Sequence, residues 1–423
     1  MEFAVNIIGG EKMKKIKYLK CSKCGRVYGE NVLYHCHICG PEGTLDVIYD
    51  IEEIKKELNI DYFSKCSRYD LWRYMPILPL ESEKGIAPLQ VGWTPLYKAK
   101  RLEERLDINS VYVKDDGRNP TASFKDRASA VGVAKAIELK KDVICAASTG
   151  NAASSLSGFA ACMGIKNYIF VPANAPEAKI TQLLIYGSKV ILVDGNYDTA
   201  FDFCLKASEK FGWYNRSCAI NPYLVEGKKT AAFEICEQLN FKVPDKVIMS
   251  VGDGCSISAV WKGFKEFYQL GLIDKLPIMV SVQAEGSNPV NRSLRSGNRE
   301  FDYKVPNTLA DSISVGIPRN GYKALNSLEE SKGLTVDVTD EEILEAMRIL
   351  ARDTGVFGEP AGVTGFAGLL KMKKEGMVSK EDTVVLIVSG NGLKDIKTAM
   401  TAVKRPEKIK PDLELLSEYL LEP

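Results

Sequence analysis

Short apolar runs alternate with helical segments along the chain from about residue 90. The segments between the runs have helical periodicity. The runs have the length of strands, and they are DVICAA (142–147), NYIFVP (167–172), KVILVD (189–194), KVIMSV (246–251) and TVVLIVSG (383–390). Strands that alternate with helices form mostly parallel sheets, because a crossover must carry the chain back before the next strand pairs in the same direction. The sequence therefore predicts an α/β fold with doubly wound sheets.

Two Cys-x-x-Cys pairs stand close together near the N-terminus. They are Cys21/Cys24 and Cys36/Cys39, and the segment between them is long enough for a hairpin. Four thiolates at this spacing complete a tetrahedral shell, which predicts a small ribbon folded by a structural Zn²⁺. The module lacks a clear basic and aromatic face, so a nucleic-acid partner is not expected.

The chain has two histidines, His35 and His37, and both flank the second cysteine pair. Either is a possible substitute for a thiolate ligand, although the four cysteines already complete the shell. Because no histidine occurs elsewhere, a hydrolase built on a Ser–His pair is not favoured. Catalysis in the rest of the chain must use another acid–base group.

Charge and hydropathy limit the partners of this chain. Its 423 residues carry a net charge of +1, so nothing indicates a polyanion or a membrane surface. No apolar run approaches the roughly 20 residues of a membrane span, and the N-terminus does not have the charge order of a secretory signal. Eleven cysteines without such a signal indicate a reducing, cytoplasmic location. Met13 is an alternative start to Met1, and we expect little structure in the first dozen residues.

One lysine has an unusual local context, in the segment NPTASFKDRAS (119–129). Ser123 and Asp126 have the spacing of a capping box, which predicts a helix with Ser123 as N-cap and Lys125 in its first turn. The N–H groups and the dipole at that end of a helix disfavour a cation, and Arg127 adds a second positive charge. These effects favour the neutral, nucleophilic form of Lys125, although a solvated lysine at a helix start is the commoner case.

Two further loops, each between a predicted strand and a predicted helix, have the chemistry of anion sites. The first, Ser148-Thr149-Gly150-Asn151, offers hydroxyls and a helix N-terminus that suit a carboxylate. The second, Gly252-Asp253-Gly254-Cys255-Ser256, suits a phosphate. It is neither a Walker loop nor the dinucleotide fingerprint, because the lysine of the one and the third glycine of the other are absent. A lysine imine with a phosphorylated aldehyde cofactor would use both loops and Lys125.

Several ordered motifs accompany these features: LWRY (71–74), GWTPL (92–96), NPTASFKDR (119–127), STGN (148–151), NPYLVEGKKT (221–230), GDGCSI (252–257), EPAGVTGFAGL (359–369) and SGNGLKD (389–395). With them, the chain resembles the threonine synthase family of pyridoxal-phosphate (PLP) enzymes over residues 21–395. The resemblance implies the tryptophan-synthase-β architecture, PLP fold type II. Its two doubly wound α/β domains would follow the N-terminal zinc ribbon, with the cofactor in the cleft between them.

The resemblance also implies a role for individual residues. Lys125 would form the Schiff base with PLP and would shuttle protons after the substrate displaces it. The other cofactor contacts would be Phe124 beside the ring, Asn151 at the phenolic oxygen, Ser389 at the pyridine nitrogen, and Gly252, Asp253, Gly254, Cys255 and Ser256 at the phosphate. Ser148, Thr149, Gly150 and Asn151 would hold the substrate carboxylate. A neutral hydroxyl at the pyridine nitrogen favours elimination and replacement over transamination.

The family reaction converts O-phosphohomoserine and water to threonine and phosphate, and it needs no histidine. Four positions differ from the family pattern. Leu224 stands where an arginine grips the substrate's phosphate, Cys218-Ala219 replaces an Asn–Ser pair, and Asp253 replaces a neutral amide. A carboxylate about 4 Å from a phosphate costs roughly 1 to 4 kcal/mol, so Asp253 is expected to weaken phosphate binding.

Positive charge for the substrate's phosphate is available near Leu224 from Lys228, Lys229 or Arg216, and we assign Lys228 to the substrate site. Two functions stay open. The first is a threonine synthase with a rearranged phosphate pocket, and the second is a paralogue that acts on a non-phosphorylated amino acid by β-elimination or β-replacement. A non-catalytic or nucleic-acid-binding ribbon protein on an α/β scaffold is less favoured, because Lys125, the STGN loop (148–151) and Ser389 are intact. Glu359 either contacts the cofactor ring or caps a helix.

We expect the following division of the chain: extension and zinc ribbon (1–50), linker and helical region (51–90), large PLP domain (91–133 and 225–402), small inserted α/β domain (134–224) and C-terminal tail (403–423). The resemblance implies a homodimer that takes a small amino-acid substrate. The leaving group and any allosteric effector stay open.

Overall fold

The structure is a computed structural model that describes residues 15–30, 34–175 and 177–421. The expectations about the first dozen residues and the start methionine lie outside the described residues. Within the described part, the strands form a six-stranded, a four-stranded and a three-stranded sheet.

The six-stranded sheet forms the centre of the molecule. Its strands are β4 (Leu96–Lys98), β5 (Ser110–Asp115), β10 (Lys246–Ser250), β11 (Ile278–Ala284), β12 (Leu334–Val338) and β13 (Thr383–Val388), in the spatial order β12-β11-β10-β13-β5-β4. All neighbours are parallel except the edge pair β4–β5. Every residue of β10 is buried, as expected for a strand that helices cover on both faces.

Alternate residues of β10 enter different cores. Val247 and Met249 pack in a cluster with the helices on one face of the sheet, and Ile248 packs in the cluster on the other face. Because successive side chains of a strand point to opposite faces, the continuous apolar run KVIMSV supplies both cores. The prediction of a doubly wound α/β fold is confirmed.

The four-stranded sheet is wholly parallel and lies between two stretches of the large sheet in sequence. Its strands are β6 (Val143–Ala147), β7 (Lys166–Pro172), β8 (Lys189–Val193) and β9 (Tyr214–Asn215), in the spatial order β8-β7-β6-β9. We call this sheet and its helices the small lobe, and the six-stranded sheet with its helices the large lobe. The domain boundaries at residues 134 and 224 stay a prediction.

Helices connect the strands of both lobes. The α-helices are α1 (Ile51–Lys55), α2 (Ile60–Lys65), α3 (Lys100–Leu106), α4 (Lys125–Glu138), α5 (Asn151–Met163), α6 (Glu177–Ile185), α7 (Tyr197–Phe211), α8 (Tyr223–Lys228), α9 (Thr230–Gln238), α10 (Cys255–Gln269), α11 (Pro289–Ser296), α12 (Gly321–Glu330), α13 (Asp340–Thr354), α14 (Pro360–Lys374), α15 (Ile396–Ala399) and α16 (Leu413–Leu421). The 3-10 helices are Gly40–Glu42, Leu71–Ile77, Glu83–Gly85, Asp116–Arg118, Asp311–Ile313, Gly392–Asp395 and Met400–Ala402.

The three-stranded sheet is the N-terminal module, with β1 (Ile16–Cys21) between β2 (Val27–Tyr28) and β3 (Leu45–Tyr49) in antiparallel pairs. Its apolar face joins the core of the large lobe through Leu19, Leu45 and Val47. The module also reaches the small lobe, because the Tyr34 hydroxyl accepts a hydrogen bond from the Asn215 backbone N–H at 3.1 Å. The module therefore contacts both lobes.

Candidate active site

Lys125 is the first residue of α4, directly after the turn that ends the segment NPTASF. Backbone bonds hold this turn against the end of β13. The Phe124 N–H donates to the Ser389 carbonyl at 2.8 Å, and Ser123 and Gly390 form an isolated β-bridge. The lysine and the loop after β13 are thus joined by main-chain contacts, although 264 positions separate Lys125 from Ser389.

The predicted capping box is wrong. The N-cap residue is Phe124 and not Ser123, and no side chain caps α4. The Asp126 carboxylate turns away and accepts from the N–H of Thr121 at 2.6 Å. The physical reason is that the backbone of Ser123 pairs with Gly390, just after β13, so the helix can begin only after Ser123. The expected position of Lys125 in the first helical turn is confirmed.

The Lys125 amine has no hydrogen-bond or ion-pair partner among the described residues, and its side chain is only partly exposed. The pKa of Lys125 is lowered to about 8, mainly by burial. The Lys228 ammonium group also lowers this pKa, and its effect is larger than the opposite effect of the Glu359 carboxylate. A larger fraction of this amine is therefore neutral at neutral pH than of an ordinary lysine. The sequence-based hypothesis of a nucleophilic lysine fits this environment.

The loop of residues 252–256 forms a cradle of unpaired N–H groups at the start of α10. None of the backbone N–H groups of residues 252–257 donates to another described residue. Gly254 has φ +85°, a conformation that favours glycine, and a Cβ there would lie 2.8 Å from the Asn320 carbonyl oxygen. Unpaired N–H groups at a helix N-terminus suit a phosphate, so this loop fits the phosphate of PLP.

Asp253 is held to one side of that cradle. Its carboxylate accepts from the Arg319 backbone N–H at 3.2 Å, and its carbonyl accepts from the Asn320 N–H at 2.9 Å. Burial raises the pKa of Asp253, and the hydrogen bond from the Arg319 N–H lowers it. The carboxylate therefore links the loop to the segment before α12.

Two cations lie beside this cradle without a carboxylate partner among the described residues. The Lys228 amine donates to the Cys255 Sγ at 3.0 Å. The Arg216 guanidinium contacts the Ser129 hydroxyl at 3.0 Å and the Lys125 carbonyl at 3.3 Å. Lys228 and Arg216 are 2 % and 3 % exposed. Because a buried cation without a counter-charge is costly, their arrangement favours an anionic ligand.

The third candidate for positive charge, Lys229, lies elsewhere. Its amine forms ion pairs with Glu226 at 2.6 Å and with Glu266 at 2.7 Å, and it sits 4.0 Å from the ring centroid of Tyr49. Lys228 and Lys229 are consecutive near the end of a helix, so their side chains point about 100° apart. Of the three candidates, Lys228 contacts the cradle through Cys255, and Arg216 lies beside the start of α4, on Ser129 and the Lys125 carbonyl.

Leu224 and Cys218 occupy two of the positions that differ from the family pattern. Leu224 is fully buried, and it packs so closely on α4 that a Cβ at Gly132 would lie 2.2 Å from its Cδ2. Cys218 lies beside Cys255, whose hydrogen bond lowers the pKa of Cys218 well below the usual range, with Lys228 and Arg216 acting in the same direction. Two thiols therefore take the place of polar side chains next to the lysine.

The loop of residues 148–151 leads into α5, and its residues Thr149, Gly150 and Asn151 line an open cleft. Gly150 is the N-cap of α5 and offers no side-chain cap, and the Ser148 hydroxyl accepts from the Gly150 N–H at 3.2 Å. The backbone N–H groups of Thr149, Asn151 and Ala152 have no acceptor among the described residues. This loop fits a carboxylate at a helix N-terminus.

Glu359 enters the same cleft from the start of α14. It is the N-cap residue of that helix but makes no capping bond, so the capping alternative is wrong. Its Oε1 accepts from the Asn151 side-chain amide at 2.7 Å. Burial raises the pKa of Glu359 to about 7 against the opposing effects of Lys125, Lys394 and the Asn151 amide. The carboxyl group is thus close to its midpoint of titration near neutral pH.

The other predicted residues are distributed as follows. Ser389 is partly exposed at the end of β13, and its hydroxyl has no partner among the described residues. Phe124 is fully buried in the core, with the Arg127 guanidinium 5.7 Å from its ring centroid, so it does not join the open cleft. Lys394 does join it, donating to the Ser154 hydroxyl at 3.0 Å. Sequence reasoning missed Lys394, although it lies in the quoted motif SGNGLKD.

The four N-terminal cysteines converge in the ribbon. The Sγ atoms of Cys21, Cys24, Cys36 and Cys39 all lie within 4.8 Å of one another. Neither histidine belongs to this cluster. A Cβ at Gly43 would lie 2.6 Å from the Cβ atoms of both Cys36 and Cys39, so only glycine leaves room for the cluster. Four converging thiols fit a zinc ion.

These features together define a class of protein. A lysine amine without a partner among the described residues lies close enough to Cys255 of the phosphate cradle, and to Glu359 beside the carboxylate cradle, for these groups to act on its pKa, as expected of enzymes that attach PLP to a lysine. The sequence profile described as "Pyridoxal-phosphate dependent enzyme" matches residues 87–390. The protein is therefore a PLP-dependent enzyme.

Curated relatives narrow the class. The chain is 44 % identical to the threonine synthase of Methanocaldococcus jannaschii over 407 residues, which cover 95 % of this chain and 99 % of that protein. It is 39 % identical to the threonine synthase of Synechocystis sp. over 82 % of this chain and 89 % of that protein. The chain belongs to the threonine synthase family.

Solved structures agree on the fold. Threonine deaminase isoform 2 of Solanum lycopersicum, in its processed form, aligns with a TM-score of 0.63 at 23 % identity, covering 74 % of this chain and 88 % of that one. Diaminopropionate ammonia lyase of Escherichia coli aligns with a TM-score of 0.64 at 16 % identity, covering 84 % and 91 %. At these identities the likeness shows the fold alone, which is PLP fold type II. Among the described residues, no helix combines the length and apolar character needed to cross a membrane.

Proposed function

We propose that this protein catalyses the threonine synthase reaction, in which O-phospho-L-homoserine and water give L-threonine and phosphate. The observation that carries the proposal is the Lys125 amine, which has no partner among the described residues and lies at the start of α4 between two loops with unpaired N–H groups. Support also comes from the threonine synthase of Methanocaldococcus jannaschii, of which 99 % aligns with this chain.

The residues present fit PLP, and we assign them as follows. Lys125 holds the aldehyde, residues 252–256 hold the phosphate through backbone N–H groups, Asn151 contacts the phenolic oxygen and Ser389 the pyridine nitrogen. Phe124 is assigned to the ring environment. When bound, PLP supplies an electron sink that makes protons on the neighbouring carbons of the substrate acidic. The Lys125 amine, when free, would be the base that accepts such a proton.

The substrate is oriented by two groups of residues. Ser148, Thr149, Gly150 and Asn151 bind its carboxylate. Lys228 and Arg216 supply the positive charge for its phosphate, because neither has a carboxylate partner among the described residues. Charge-assisted hydrogen bonds from these two cations would take the place of the arginine that the family has at position 224.

A second candidate function is supported by the replaced positions. Leu224 is buried against α4, and Cys218 and Ala219 lack the amide and hydroxyl of the family pattern. A site without these donors also fits an amino acid with no phosphate, processed by β-elimination or β-replacement. The two functions share the cofactor and Lys125 and differ in the leaving group.

We further propose a structural Zn²⁺ on Cys21, Cys24, Cys36 and Cys39, because four closed thiolate ligands leave no open position for catalysis. Since the module contacts the large lobe through its core and the small lobe through Tyr34, the metal would stabilise the position of one lobe against the other. We also propose that the protein is a homodimer and that residues 134–224 form a small inserted domain. Both proposals are based on the resemblance to the family.

The test is a substrate screen with the PLP-loaded full-length protein. We expect release of phosphate from O-phospho-L-homoserine, with an equal amount of threonine. Serine, threonine, diaminopropionate and O-acetylhomoserine are the competing substrates, and Lys125→Ala is the inactive control. No phosphate release at saturating substrate would rule out the threonine synthase reaction, and turnover of a non-phosphorylated substrate would then establish the second candidate.

A further inference from the structure

The Glu359 carboxyl group has a position that its place at a helix start does not explain. As the N-cap residue of α14 it would normally accept a bond from the first helical turn, yet it accepts none. Instead it folds back over the end of β13, where a Cβ at Gly390 would lie 2.3 Å from its Oε1. It is 5 % exposed, and its partner is the Asn151 amide at 2.7 Å.

We propose that Glu359 is the second proton-holding group of the active site: it receives the first proton from the Lys125 ammonium group, which frees that amine to take the second, while the Asn151 amide holds the Glu359 carboxyl group in place. This inference rests on the proposed threonine synthase reaction. Glu359 contacts neither the lysine amine nor a ligand directly in the structure, so it is a positioning and proton-storing residue.

The reaction requires storage of two protons. The substrate loses one proton from Cα and one from Cβ before the phosphate leaves Cγ. Later, Cγ and Cα each regain a proton, while water adds its hydroxyl to Cβ and its remaining proton goes to the phosphate. Two protons are therefore off the substrate at the same time. The Lys125 amine can hold one as an ammonium group, and a second group must hold the other.

Glu359 is suited to this role by its surroundings. Two cations face it, Lys125 from α4 and Lys394 from the segment after β13, and both stabilise its anion. Burial and Asp395 favour its protonated form. The resulting pKa of about 7 allows the carboxyl group to take up and release a proton near neutral pH.

Other titratable groups of the cleft are less suited. Lys179 and Asp311 also line it, but they form an ion pair at 2.6 Å and the Asp311 side chain is 61 % exposed. The two histidines lie in the ribbon module. Among the described residues that line the cleft, Glu359 is the buried carboxyl group.

Asn151 connects Glu359 to the ligand position. A carboxamide nitrogen carries two N–H groups. One donates to the Glu359 Oε1, and this bond fixes the rotation of the amide. The other stays available for the phenolic oxygen assigned to it. A change in the charge of Glu359 therefore alters the donor strength of Asn151.

The first experiment measures, without the cofactor, how the charge of Glu359 affects the pKa of Lys125. The pKa of Lys125 in the apoprotein is measured by competitive labelling with acetic anhydride, peptide mapping and mass spectrometry over pH 6–10. The Glu359 carboxylate raises the pKa of the lysine, so we expect Glu359→Gln to lower it by about half a unit or more. Glu345→Gln, at an exposed position of α13, is the control and should leave it unchanged. An unchanged Lys125 pKa in Glu359→Gln would overturn the inference.

The second experiment separates the two protons. L-2-Aminobutyrate has protons on Cα and Cβ but no leaving group, and exchange of each with D₂O is followed by ¹H NMR using the PLP-loaded protein. We expect Glu359→Gln to keep exchange at Cα within about threefold and to slow exchange at Cβ by about 100-fold. Equal slowing at both carbons, unchanged exchange at Cβ, or a wild-type protein that exchanges no Cβ proton would overturn the inference. Failure of the threonine synthase reaction itself would appear separately, as wild-type exchange at Cβ without phosphate release from O-phospho-L-homoserine.

Discussion

Lys125 and Arg127 are two residues apart in α4, yet their surroundings differ completely. The Arg127 guanidinium is fully buried and donates to Asp116 at 2.6 Å and 2.9 Å, and to Glu234 at 2.8 Å. Lys114 completes this network with an ion pair to Glu234 at 2.7 Å. Lys125 has no ion-pair or hydrogen-bond partner for its amine among the described residues.

The difference shows how a structural role of a buried cation can be told from a role in ligand binding or catalysis. Two cations against two carboxylates make the Arg127 network neutral, and its members need no ligand. Lys125, Lys228 and Arg216 have no carboxylate partner among the described residues. A hydrogen bond from a neighbouring thiol and these three cations lower the pKa of the Cys218 thiol, which offers one negative charge against the cations, so their charges favour a ligand or, for Lys125, the neutral amine. Arg127 therefore stabilises the fold and Lys125 is available for chemistry.

The largest effect is expected for Lys125→Ala. Turnover should fall by about 10⁴-fold, equivalent to about 5.5 kcal/mol, because the group that holds the cofactor and the base are both lost. The unfolding midpoint of the apoprotein should not fall, since no partner is left unpaired. Borohydride reduction of the wild-type holoenzyme and peptide mapping should find the cofactor on Lys125. Label on another side chain would contradict the conclusion that Lys125, unlike Arg127, is available for chemistry.

The next effect is expected for Arg127→Met. Removal of the guanidinium leaves Asp116 and Glu234 buried with a single cation, and the free energy of unfolding should fall by about 4 kcal/mol. Urea unfolding measures this. Arg299→Met is the control, because Arg299 pairs with Glu329 at the surface and should cost less than about 1 kcal/mol. A loss at Arg127 no larger than the control would show that the network is not structural.

A smaller effect is expected for Lys228→Met. Because Lys228 is assigned to the substrate's phosphate, the affinity for O-phospho-L-homoserine should fall by about 2 kcal/mol, or about 30-fold. The affinity for L-homoserine, which has no phosphate, should stay the same. Titration of the PLP-loaded protein with both amino acids, followed by the change in its visible spectrum, makes this comparison. Equal losses for the two would show that Lys228 acts on the fold and not on the phosphate.

The smallest effect concerns pH. The pKa of Lys125 is about 8 in the folded protein and higher in the unfolded chain, so the unfolded state binds more protons between pH 8 and 10. The free energy of unfolding of the apoprotein should therefore rise with pH across this window, relative to Lys125→Ala. The measurement is the difference between the two proteins in urea unfolding at pH 8 and pH 10. A constant difference would contradict the lowered pKa of Lys125.

The sequence predicted the elements of the fold because they depend on local patterns. The run KVIMSV corresponds to β10 (Lys246–Ser250), and TVVLIVSG contains β13 (Thr383–Val388). Both strands are buried in the parallel sheet, so they are continuous apolar runs bounded by turn residues. The position of Lys125 at a helix start was predicted from the capping-box spacing and is correct, although the box itself does not form.

Contacts between distant segments could not be predicted. The capping box failed because Ser123 pairs with Gly390. The sequence predicted that Asp253 repels a phosphate. It could not show the bond from the Arg319 N–H to the Asp253 carboxylate, because these residues are 66 positions apart. Helix geometry, however, already separates Lys228 from Lys229, so the sequence could have shown that only one of them faces the cradle.

The main-chain bonds between Phe124 and Ser389, and between Ser123 and Gly390, have an evolutionary consequence. They involve peptide groups, which every amino acid carries, so they persist when the neighbouring side chains mutate. The spacing between the lysine and the loop after β13 is thus inherited independently of substrate preference. Descendants of such a chain can exchange residues such as Leu224 or Cys218 for a new substrate while the catalytic lysine keeps its place.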